Sequence, residues 1–106
     1  MGENMVLYNA LLEALWALGL QDRACRVLGA GRIRGEFPEA VQQSDNVWAL
    51  DLHRFSPGGA CAMMMTWLKE ARELMEEGTT LPQIVTIVTK YEGGDVIGGT
   101  FRLDYV

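Results

Sequence analysis

Histidine occurs once in this chain, cysteine twice and proline three times, and each scarcity excludes something. The single histidine, His53, leaves Cys25 and Cys61 without partners for a zinc-type ligand set, and their wide spacing fits no metal-binding pattern. Both cysteines fall on apolar helical stretches and are expected to be buried, reduced thiols. No apolar run reaches the length of a membrane span, so no membrane partner is expected. Met1-Gly2-Glu3-Asn4 lacks the basic-then-apolar layout of a signal peptide and the Arg- and Ser-rich character of a transit peptide. Val6 stands where a myristoylation signal needs Ser or Thr. No targeting segment is therefore expected in this stretch. Basic charge is also short, with a formal net charge of −5. Acids and bases balance over residues 5–39, so nearly all the excess lies after them. A broad basic footprint for nucleic acid is absent, and any such binding has to be local or rest on parts of a longer protein.

What is present divides at a polar connector, residues 40–46. Before it, Val6, Leu7, Ala10, Leu11, Ala14, Leu15 and Leu18 recur at helical spacing, and Gly19 stops that helix. Gln21-Asp22 start a second helix with an acid at its positive end, and Gly35 and Pro38 close it. Residues 5–39 thus read as a helical hairpin.

After the connector, Val47, Trp48, Leu50 and Leu52 suit a short buried strand. Strand alternation puts Asp51 and His53 on one face, one step apart, at the carboxyl end of that strand. Open α/β sheets place their sites at this edge. Ser56 and Pro57 then make a good N-cap and first helical residue. Apolar residues follow at helical spacing from Ala60 to Met75, and Gly78 ends the helix. The cluster Met63-Met64-Met65 is expected to be core packing. Gln83–Thr89 is a β-branched run that suits a strand covered on both faces, as in a parallel sheet. Strand, helix and strand make a crossover unit, so His53 is expected to face a loop at Thr89–Gly94. Residues 98–106 read equally as the start of a helix or as a short strand.

Met5 to Glu39 resembles one pentatricopeptide repeat, on Val6-Leu7-Tyr8-Asn9-Ala10-Leu11-Leu12, the Gly19 turn and the closing Gly35-Glu36-Phe37-Pro38-Glu39. The resemblance implies that Asn9 and Glu39 read one RNA base, with Glu39 departing from the usual Asp or Asn. A single repeat cannot bury its own faces, so further repeats of a longer parent protein are implied. Residues 47–106 resemble the small MutS-related (Smr) domain, on Leu50-Asp51-Leu52-His53, Phe55-Ser56-Pro57-Gly58-Gly59-Ala60 and Val85-Thr86-Ile87-Val88-Thr89. The two in this order resemble plant proteins of the chloroplast or mitochondrion.

The fold expected is α+α/β, with one helical-hairpin repeat followed by a partial Smr-like β-α-β sheet. The two domains are residues 5–39 and 47–106, the second truncated at its end. The resemblance implies RNA binding and metal-assisted endonuclease cleavage, with Asp51 and His53 catalytic and Asp51 holding Mg or Mn. Thr89, Lys90, Tyr91, Gly93 and Gly94 would meet the nucleic acid, single-stranded RNA first and DNA as an alternative. Lys90 and Glu92 stand where the family has glycines, so weak or absent cleavage is expected of this chain. A non-catalytic RNA-binding module and a protein-interaction fragment are the rival readings.

Overall fold

A computed structural model describes residues 2–38, 40–43 and 47–102. The elements run α1 (Gly2–Ala17), α2 (Gln21–Ile33), β1 (Val41–Gln43), β2 (Val47–Asp51), α3 (Pro57–Glu76), β3 (Ile84–Glu92) and β4 (Asp95–Arg102). The order is that of the expected helical hairpin and β-α-β segment, with a strand added on each side. The chain divides into two compact units, one of Met1–Pro38 with Phe55–Glu70 and one of Glu39–Arg54 with Ala71–Val106. The stretch read as 47–106 therefore contributes to both, and α3 begins in one unit and ends in the other.

In the first unit the helices end by one mechanism. Gly19 and Gly35 adopt φ of +78° and +86°. After α1, Gly19 N–H donates to Trp16 and Leu20 N–H to Leu15; after α2, Gly35 N–H donates to Arg32 and Glu36 N–H to Gly31. This paired 5→2 and 6→1 closure needs a left-handed residue, which only glycine adopts at no steric cost. Leu12, Leu28, Ala24, Ala62 and Met63 are fully buried and form the core. Tyr8 lies against Gly31, where a Cβ would come within 3.0 Å of its ring. Tyr8 also meets Phe37 edge-on at 6.4 Å, and Phe37 stacks on Phe55 at 4.3 Å. Phe37 holds a φ of +55°, an uncommon backbone for a bulky side chain that its burial in this stack stabilises. Cys25 is half-buried with its Sγ 3.8 Å from the Ala62 carbonyl, whereas Cys61 is exposed, contrary to the expectation of two buried thiols.

The second unit holds a four-stranded sheet in the order β1-β2-β3-β4. β2 and β3 pair in parallel, as the crossover requires, and the pairs β1–β2 and β3–β4 are antiparallel. Three readings change here. Val41–Gln43, read as connector, forms β1. Residues 95–102 form β4, which takes in 98–102 of the undecided end. Thr89–Glu92, read as loop, continues β3 as far as a two-residue turn at Gly93-Gly94 with φ of +58° and +86°. Two successive positive φ values are what the tight antiparallel hairpin turn demands, and Gly-Gly supplies them.

The registers align side chains in rows across the sheet. Val47, Ile84 and Arg102 share one row, Ala49, Thr86 and Thr100 the next, and Asp51, Val88 and Gly98 the third. Gln42 extends the middle row. Alternation puts all three rows on one face. The opposite face carries the buried Leu50 and Val85. The first face is only partly covered: Gln42, Gly98, Thr100 and Arg102 are exposed and Ala49 and Thr86 half-buried. A sheet covered on both faces, expected from the β-branched run of β3, is therefore not what forms. That strand has an antiparallel neighbour, and antiparallel pairs tolerate one wet face.

Candidate functional site

Asp51 ends β2, and its backbone N–H donates to the Ala40 carbonyl at 2.8 Å. Leu52 N–H donates to the Val88 carbonyl at 2.8 Å, so the chain stays tied to β3 for one residue past the strand. His53 follows in a turn. Its Nδ1 lies 2.5 Å from Asp51 Oδ1, and its backbone N–H donates to the same oxygen at 3.1 Å. One carboxylate oxygen thus fixes both the backbone and the ring of His53. The Asp51 side chain is 6% exposed and that of His53 24%, so the acid is inside and the imidazole reaches the surface. With the proton on Nδ1 toward Asp51, Nε2 is the basic nitrogen, oriented by the buried carboxylate. Such a pair can move a proton to or from a bound hydroxyl.

The other residues singled out in the sequence lie elsewhere. Asn9 is in the first unit, where its Oδ1 accepts from Ser56 N–H at 2.9 Å. One turn further along α1, Glu13 Oε1 accepts from Gly58 N–H at 2.7 Å. Ser56 Oγ accepts from Gly59 N–H at 3.1 Å, the N-cap bond expected of it. The start of α3 thus takes acceptors from Asn9, Glu13 and Ser56. Glu13 was not singled out in the sequence, because its partner lies 45 residues away and no local signal marks it. Glu39 lies outside the described residues.

Thr89 Oγ1 donates to the Ile97 carbonyl at 3.0 Å, and Lys90 Nζ lies 3.6 Å from Glu92 Oε2, so both side chains have partners within the hairpin. Tyr91 is placed in β3, its backbone opposite Val96. Val88, not the Gly-Gly turn, is level with Asp51. The strand carries Gly93 and Gly94 roughly 15 Å past that row. A glycine loop around the dyad is not formed, because Thr89, Lys90, Tyr91 and Glu92 extend the strand instead.

Among the described residues no three His, Cys, Asp or Glu side chains gather as metal ligands. Asp51 Oδ1 accepts twice from His53. No described helix is long and apolar enough to cross a membrane.

No protein-family model matches the chain. Two curated chloroplastic pentatricopeptide repeat-containing proteins of Arabidopsis thaliana do. One is 41% identical over 88 residues, which is 83% of this chain and 10% of the relative. The other is 34% identical over 83 residues, 76% of this chain and 6% of the relative. The chain is related to chloroplastic pentatricopeptide repeat-containing proteins. It spans about a tenth or less of the length of these relatives. An 88-residue match within 106 residues contains residues 19–88 wherever it begins, gaps aside. The relationship to this pentatricopeptide repeat-containing protein therefore takes in β2, the Asp51–His53 pair and α3 as well as α2.

Proposed function

We propose that the chain is an RNA-binding part of an organellar repeat protein, chloroplastic like the relatives it matches, and that Asp51 and His53 form a cleavage site for single-stranded RNA. The relationship to chloroplastic repeat proteins supports the setting. The observation that carries the chemistry is the hydrogen-bonded Asp51–His53 pair at the carboxyl end of a parallel strand, with the acid buried and the imidazole part-exposed. His53 Nε2 takes the proton of a ribose 2′-hydroxyl. The 2′-oxygen then forms a bond to the adjacent phosphorus as the bond from phosphorus to the 5′-oxygen breaks, and that oxygen takes a proton from water, whose hydroxide takes back the proton held on His53. The products are a 2′,3′-cyclic phosphate and a 5′-hydroxyl end. Asp51 orients the ring and stabilises the imidazolium that forms. The step needs a 2′-hydroxyl, so DNA of the same sequence stays intact. The rate is low, because no described glycine loop cradles the phosphate that carries the developing charge.

The test is an end-labelled oligouridine incubated with the protein in chelator, and separately with Mg²⁺ or Mn²⁺. Slow cleavage to a cyclic phosphate end in chelator, abolished in His53→Ala and reduced in Asp51→Asn, is the expected result. Cleavage that persists in both variants, or that appears only with the added metal, overturns this chemistry. Failure of the intact protein to bind RNA overturns the reading altogether.

A further inference from the structure

We infer that the open face of the four-stranded sheet is a single-stranded RNA platform that leads a phosphodiester backbone to Asp51 and His53. The inference rests on the proposed function and adds the surface on which the substrate lies.

The rows of the sheet supply the geometry. Arg102 and Thr100 lie on β4 on the same face as Asp51, in the first and second rows, and Gly98 is level with Asp51 in the third. Successive rows are about 7 Å apart along the strands, a spacing comparable with one nucleotide of an extended strand. The reacting pair stands at one end of this face and a guanidinium at the other, about 14 Å away along the strands. Between them Thr86 Oγ1 and Thr100 Oγ1 lie 3.3 Å apart on the exposed surface, and Gln42 continues their row with an exposed amide.

The chemistry of these groups suits a polyanion with hydroxyls. Arginine offers a fork of donors for phosphate oxygens, threonine hydroxyls donate or accept, and glutamine does both. Gly98 carries no side chain, and a Cβ there would lie 1.8 Å from the Ile87 carbonyl oxygen, so no residue with a side chain fits. The buried acid at the reacting end sits beneath His53, 7% exposed, so its charge is held back from an approaching phosphate. On the opposite face Leu50 and Val85 are buried.

The intact chain is titrated into fluorescein-labelled oligouridine and followed by anisotropy at several salt concentrations. Arg102→Gln weakens binding about tenfold and lowers the salt slope by about 0.7. Thr100→Val weakens it about threefold. Gln42→Ala weakens binding whereas Gln43→Ala, its neighbour on the other face, does not. Photocrosslinking of the unmodified chain to 4-thiouridine RNA, which depends on no substitution, places the adducts on β3 and β4. Binding that survives all three face variants, or adducts confined to the first unit, overturns the platform while leaving RNA binding itself intact. No binding of any RNA overturns the platform together with the function on which it rests. Association of the protein with itself that these variants abolish, with RNA binding unchanged, also overturns it and gives the face to a second copy.

Discussion

The two units treat their polar residues in opposite ways. In the helical unit, Asn9 and Glu13 look like exposed helix residues in the sequence, yet both accept backbone N–H groups at the start of α3. In the sheet unit, Thr86, Thr100, Gln42 and Arg102 sit on a strand face that remains largely open. The difference follows from where each kind of structure leaves its unsatisfied groups. A helix start has orphan N–H donors that draw in any nearby oxygen. A paired strand has its backbone satisfied by the ladder, so the side chains it points outward are not drawn in to satisfy backbone donors. A polar residue on a helical hairpin is thus weaker evidence for a binding role than one on an open sheet face.

The largest effect that tests this contrast is expected at Gly98, where the sheet unit depends on close backbone approach. Gly98→Ala drives a Cβ into the Ile87 carbonyl and destabilises the unit by about 3 kcal/mol or more. A urea titration followed by circular dichroism reads the loss directly. Slightly smaller is Leu28→Ala in the helical unit, where a fully buried side chain leaves a cavity and costs about 3 kcal/mol. If Leu28→Ala proved nearly neutral in the same titration, the helical core would be far more loosely packed than its burial indicates.

The capping bonds come next. Glu13→Ala, which strips Gly58 N–H of a charged acceptor, costs about 1.5 kcal/mol. Asn9→Ala costs about 1 kcal/mol through loss of the bond to Ser56. Glu13→Gln keeps an acceptor oxygen and recovers most of the first loss. An Asn9→Ala protein that kept full stability but changed its base preference in an RNA array would reverse the contrast, making Asn9 a reader of bases and not a cap. The smallest effect is at Arg72→Ala. Its pair with Glu76 is an exposed i,i+4 contact, so the loss stays under about 0.5 kcal/mol and fades in salt.

The fold was legible wherever local chemistry decides it. Gly19, Gly35 and Gly78 mark the ends of all three described helices, and each has a left-handed backbone. After Gly78 the same pair of bonds returns, to Met75 and Leu74. The parallel pairing of β2 and β3 followed from the helix between them. The parts that were not legible depend on pairing with distant residues. Val41-Gln42-Gln43 is too short and polar to show alternation, and it is a strand only because β2 lies beside it. Gly98 and Gly99 weaken the strand signal of β4, and the reason for Gly98 is the Ile87 carbonyl across the ladder. At the site, the common face of Asp51 and His53 came from strand alternation alone. The shared Oδ1 acceptor and the burial of the acid beneath an open imidazole came only with the structure. The expected loop at Thr89–Gly94 came from ending the second strand at Thr89, and it gave way to the intrinsic strand preference of Thr89 and Tyr91.

The Gly93-Gly94 turn also sets an order of events in folding. β3 and β4 are joined by two residues already suited to the turn, so they can zip together on the timescale of an isolated hairpin, about microseconds. β2 has no such short cut. Its pairing with β3 closes a loop that contains the whole of α3, and that entropy is lost before any parallel bond forms. The hairpin is therefore an early, local event, and the register that brings Asp51 level with Val88 is a late one. The same strand that reaches past the dyad to make its turn is the template on which the dyad is assembled.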